Sequence, residues 1–108
     1  MAWAYLLLAG LMEIGWPLGF RLSQLPGWRV PGIALAAACL ALSTVLLWFA
    51  QKAIPIGTAY AVWTGIGAVG VFIFGILLFG EPRNTLRVAS AACILVGIIG
   101  LKLADGAA

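Results

Sequence analysis

"AIPIGTAYAVWTGIGAVGVFIFGILLFGEPRN", residues 53–84, carries no charged side chain between Thr58 and Phe79. Pro55 and Gly57 interrupt the chain ahead of that interval, and "GEPRN" closes it. A helix crossing the hydrocarbon core of a bilayer needs about 20 apolar residues, which the interval supplies. Its apolar character is continuous rather than alternating, so it does not read as a strand of an outer-membrane barrel.

The flanking sequence repeats the pattern. A first apolar run extends from Ala2 to Phe20 and stops at Arg21. The segment "RLSQLPGWRVPG" that follows holds two prolines, two glycines and two arginines and reads as a loop. A second run starts near Pro31, a residue tolerated in the first turn of a helix, and reaches Ala50 ahead of Gln51 and Lys52. A fourth spans about Leu86 to Leu103. The punctuation predicts transmembrane helices at about 2–21, 31–50, 57–80 and 85–104, forming a single four-helix domain over residues 1–108. The expected fold class is an all-α integral membrane protein.

Composition excludes most other classes. Hydrophobic residues make up 65% of the chain and charged ones 8%, where a soluble domain carries roughly a quarter charged. Mean hydropathy is +1.18. The formal charge of +3 rests on isolated basic residues between apolar runs, so no nucleic-acid partner is expected. Histidine is absent, and Cys39 and Cys93 lie in apolar stretches without CxxC spacing. They read as small core residues, with no metal site and no disulfide. No nucleophile–base pair is visible, so neither an enzyme nor a cofactor is expected. Residues 2–20 lack a basic leader and an A-x-A cleavage site, and this segment is expected to be retained.

Loops one and three share one side of the membrane, with Arg21, Arg29, Arg83 and Arg87 near them; Lys52 and Lys102 mark the other side. That is a weak bias under the positive-inside rule, and coexisting orientations would permit an antiparallel pair.

Within this apolar chain, "AGLMEIGWPLGF", residues 9–20, sets the carboxylate of Glu13 at mid-depth in the first span. A charge there costs at least about 2.5 kcal/mol, so the group is expected to face a cavity or a partner, and a second subunit could complete the wall of such a cavity. No other span offers a natural cation. A structural tie between helices would explain the acid less well, since Gln would serve equally. The mobile partners left are a proton and a cation from water. Trp16 follows Glu13 at i+3 on the same helix face; Ser43 lies at mid-depth in the second span, and Tyr60, Trp63 and Thr64 lie in the third. Their N–H and O–H groups can hold a carboxylate, and the rings can face a cation. Gly65, Gly67 and Gly70 allow either close helix contact or a bend, with Gly65 and Gly67 the candidate hinge. Ala89, Cys93 and Gly97 form a small-residue seam on the fourth span.

On these residues the chain resembles the small multidrug resistance family, in its guanidinium-exporter branch. The likeness covers essentially the whole length: four short spans, the acid at mid-helix, "PIGTAYAVWTGIGAVG" and the ending "GIIGLKL" with Lys102. The resemblance implies a multi-pass protein of the bacterial inner membrane, working as an antiparallel dual-topology homodimer that exchanges guanidinium for protons. It implies that Glu13 binds proton or cation, that Trp16, Ser43 and Trp63 form the hydrogen-bond network around it, and that Tyr60 lines and gates the pocket. Pro17 departs from the family pattern and is expected to kink the first helix beside the site; the first loop, around "QLPGW", is longer than usual. The rival readings are a quaternary-ammonium or polyaromatic-cation exporter of the same fold, against which Trp16 speaks, and a non-transporting membrane subunit, which leaves Glu13 unexplained.

Overall fold

In a computed structural model, which describes residues 1–104, the described residues form four helices and no strand. They are α1 Ala2–Ser23, α2 Arg29–Ala50, α3 Ile56–Phe79 and α4 Thr85–Ala104. All four are long and apolar enough to cross a membrane.

The first loop is shorter than the "RLSQLPGWRVPG" segment. α1 runs on to Ser23, whose Oγ donates to the Phe20 carbonyl at 2.6 Å, while Arg21 reaches the Gln24 amide oxygen at 3.1 Å. α2 begins at Arg29, ahead of Pro31. Pro31 therefore sits in the first turn, where its missing N–H costs no intrahelical bond. Gly80 lies just past α3 with φ 65, the left-handed terminating position that glycine occupies without a Cβ clash. α1 continues as one helix through Pro17.

α1 packs against both α2 and α3; α2 and α3 touch little, and α4 packs mainly on α3, with Lys102 over the Trp3 ring of α1 at 5.0 Å. The lateral order is thus α2–α1–α3–α4, in a slab of 47 × 34 × 16 Å. Its thin dimension is less than two helix diameters of about 10–12 Å each. A slab this thin has little interior. Trp3, Leu6, Ala50, Ile54, Ala59 and Val62 form a buried cluster where α1 starts, α2 ends and α3 starts. Most other large apolar side chains face outward, as lipid permits, and α4 buries no residue at all.

α1 and α2 cross closely at two glycines. A Cβ on Gly19 would stand 2.7 Å from the Ala36 nitrogen, and one on Gly32 would stand 2.6 Å from the Gly19 carbonyl oxygen. Backbone meets backbone there, so no rotamer change could relieve a side chain. In lipid, where apolar groups gain little by clustering, this close approach is a main source of helix–helix attraction. It also fixes the depth at which Ser43 of α2 meets α1.

Candidate functional site

Glu13 faces α3 where that helix has no side chain. A Cβ on Gly67 would lie 2.7 Å from Glu13 Cγ and 3.3 Å from its Cβ, so the carboxylate stem occupies space that any other residue would fill. Beside this contact is a cavity of about 250 Å³, lined by Glu13 and Pro17 from α1 and by Thr64, Gly67, Ala68 and Val71 from α3. The acid does face a cavity rather than a packed wall.

Ser43 sits on the other side of Glu13 and is fully buried. The Trp63 indole Nε1–H donates to Ser43 Oγ at 2.7 Å. The hydroxyl itself has two acceptors in reach, the Ala9 carbonyl at 2.8 Å and Glu13 Oε1 at 3.4 Å. A serine has one proton to give. With the Trp63 donor already on its oxygen, the hydroxyl either points at Ala9 or turns to the carboxylate. The shorter distance favours Ala9 in this conformation. An ionised Glu13 would attract the proton more strongly, since hydrogen bonds to charged acceptors are about twice as strong as neutral ones.

The structure brings Glu13, Ser43 and Trp63 into one chain of contacts, but it arranges the other expected residues differently. Trp63 acts on Glu13 through Ser43 and not directly. The expectation that Trp16 belongs to this network is not met within the protomer: its Nε1 is buried and finds no acceptor among the described residues, and its ring packs edge-on against Phe20 at 5.7 Å. The i+3 spacing puts Trp16 on the same face as the acid but one turn away. Tyr60 is 56% exposed; its ring is tilted on Trp63 at 5.5 Å between centroids, at the outer margin of the site. Gly65 and Gly67 lie in an unbroken α3, where they serve as seats: Gly67 for Glu13, and Gly65 for Ile98 of α4, whose Cδ1 would be 2.9 Å from an added Cβ.

A family model described as Small Multidrug Resistance protein matches residues 1–96. The chain belongs to the small multidrug resistance family. It is a membrane transporter of that family, a multi-pass protein of the bacterial inner membrane. Its relatives include the "Guanidinium exporter" of Escherichia coli strain K12, 48% identical over 95% of this chain and 97% of that protein. The "Guanidinium exporter" of Yersinia pseudotuberculosis is 51% identical over 97% of this chain and its own full length. That of Proteus vulgaris is 49% identical over the same shares.

Three cavity residues of this transporter, Ala68, Val71 and Pro17, carry no polar group that spacing could have flagged as a wall. One signal did exist. Pro17 lies at i+4 from Glu13 and shares its helix face. Thr64 also lines the cavity, but its hydroxyl proton is committed to the Tyr60 carbonyl at 2.7 Å, the usual back-bonding of a mid-helix threonine.

Proposed function

We propose that this chain exports guanidinium and small guanidinyl cations in exchange for protons, by alternating access, as an antiparallel homodimer. The observation that carries the reading is the Glu13 carboxylate, set in a cavity inside the membrane with a switchable hydroxyl donor beside it. The names borne by relatives of about half identity support the choice of cation.

Guanidinium stays charged at any physiological pH, as the arginine head group does, so it cannot cross lipid as a neutral base and needs a counter-charge on the way. An ionised Glu13 supplies it. The Ser43 proton then turns to the free carboxylate oxygen, held in line by the Trp63 N–H. A proton arriving at Glu13 cancels the counter-charge, the cation leaves, and the hydroxyl returns to Ala9. One carboxylate that holds either a proton or a cation, but not both, couples the two flows.

The thin slab supports the dimer. Glu13 is flanked by α2 and α3 of its own subunit, and no residue of α4 lines the cavity. Ala89, Cys93 and Gly97 are exposed on α4, and an added Cβ on Gly97 would meet nothing within 4 Å. We place the subunit contact on this seam. The buried, unpartnered Trp16 N–H is a donor for the assembled site. Gly65 and Gly67, where α3 rests closely on its neighbours, are the positions about which α3 would rock or bend.

Solid-supported-membrane currents from reconstituted protein test the reading. Guanidinium should give transport currents that tetramethylammonium does not match, and Glu13→Gln should abolish them. Currents of parental size from Glu13→Gln would refute the mechanism. A preference for quaternary cations would favour the multidrug alternative, and no current with any cation the non-transporting one.

A further inference from the structure

The cavity beside Glu13 presents acceptors and no free donors. Its lining is Glu13, Pro17, Thr64, Gly67, Ala68 and Val71. The Thr64 proton is directed at the Tyr60 carbonyl, so only its oxygen lone pairs face outward. Ala68, Val71 and Gly67 bring no polar side-chain atom.

Pro17 adds to this set by what it lacks. In an α-helix the N–H of residue 17 donates to the carbonyl of residue 13. Proline has no N–H, and its ring pushes that carbonyl aside. The carbonyl left over belongs to Glu13 itself. Glu13 and Pro17 both line the cavity, and the carbon of this carbonyl lies 3.9 Å from where a Cβ on Gly67 would stand. No side chain among the described residues donates to it. A carbonyl that loses its helical donor is costly in lipid, and an N–H-bearing occupant of the cavity would take that donor's place.

We propose that the main-chain carbonyl of Glu13, freed by Pro17, is a second cation acceptor that selects N–H-bearing planar cations over quaternary ones. The inference rests on the functional reading above, in which the cation comes to Glu13. Guanidinium is all donors: one edge can bond the carboxylate while an N–H on another reaches the carbonyl one helical step along. Tetramethylammonium has no N–H, satisfies neither acceptor and leaves the carbonyl bare. Pro17 is thus a specificity-determining position that works through its neighbour's backbone.

The test measures the ratio of guanidinium to tetramethylammonium affinity by calorimetry on detergent-solubilised protein. Pro17→Ala restores the amide and closes the carbonyl, and the ratio should fall about tenfold, the effect of losing one charge-assisted hydrogen bond. An ester analogue, with lactic acid replacing Pro17, has neither ring nor N–H and should recover the parental ratio. A ratio unmoved by Pro17→Ala overturns the proposal. So does an ester that loses as much as the alanine, because the ring's shape would then be responsible. A direct readout uses [1-¹³C]glutamate, which labels only Glu13 and Glu81. Guanidinium should shift the Glu13 carbonyl band in the infrared in the parent and leave it in place in Pro17→Ala; a parent band that does not move also overturns the proposal. Failure of the functional reading looks different: the parent itself would bind no guanidinium, or Glu13→Gln would bind it equally, and this inference would fall with it.

Discussion

Gly67→Ala should move the carboxylate of Glu13 without removing it. The added methyl would stand 2.7 Å from Glu13 Cγ and 3.3 Å from Cβ, where carbon atoms in ordinary contact lie about 3.5–4.0 Å apart. Glu13 Cγ must therefore retreat by about 1 Å. Its Cβ is anchored to α1, so either the side chain turns at χ1 or α1 and α3 separate. Ser43 Oγ, 3.4 Å from Glu13 Oε1, lies on the side away from Gly67, so the retreat carries the carboxylate toward Ser43 and out of the cavity, ending a hydrogen bond to a cation held there. A hydrogen bond to a charged group is worth about 1.5–3 kcal/mol, or roughly 10- to 100-fold in affinity. Overpacking should cost stability as well, about 1–3 kcal/mol. Guanidinium titrations by calorimetry on the parent, Gly67→Ala and Gly57→Ala measure this directly. A Cβ on Gly57 meets nothing within 4 Å, so that control should bind as the parent does. Parental affinity in Gly67→Ala, or an equal loss in Gly57→Ala, would show that the seat under Glu13 does not govern binding.

Ser43→Ala leaves the Trp63 N–H without its acceptor and should lower the thermal stability of the solubilised protein by about 1–3 kcal/mol. Adding Trp63→Phe should restore part of it, because removing both partners of a buried bond costs less than removing one; additive losses would rule out the pairing. For the seam on α4, positions 89 and 97 are equidistant from Cys93. An antiparallel pair crossing there brings 89 of one subunit to 97 of the other. In a parallel pair the two stay about 12 Å apart at 1.5 Å per residue, beyond the roughly 7 Å limit for a disulfide. In a background without Cys39 and Cys93, mixing Ala89→Cys with Gly97→Cys protein should therefore give the mixed disulfide-linked dimer, and exclusive 89–89 and 97–97 linkage would exclude the antiparallel arrangement.

The four-helix architecture was legible because the bilayer sets so few conditions: enough apolar length, and breaks between spans. Pro55, Gly80 and Pro82 mark breaks in the letters themselves. The exact edges of the first loop were not legible. Proline and arginine are loop residues on average, yet both fit the end turns of a helix, and whether a helix extends over them depends on its neighbours. Glu13 was legible by cost alone, since a carboxylate at mid-depth needs a reason. Trp16 shows the limit of that logic. Helical spacing puts it on the correct face, but whether an indole one turn away reaches a given oxygen is a matter of ångströms that periodicity does not carry.

By itself, then, the sequence determined the number of spans, their approximate limits and the identity of the one intramembrane acid, because each follows from local composition measured against the solvent. The tertiary structure alone decided that Gly67 seats Glu13, that Ser43 chooses between Ala9 and the carboxylate, and that Pro17, Thr64, Ala68 and Val71 wall the cavity. Those relations join helices far apart in the chain, and they depend on the depth and angle at which the glycine crossings let the backbones meet.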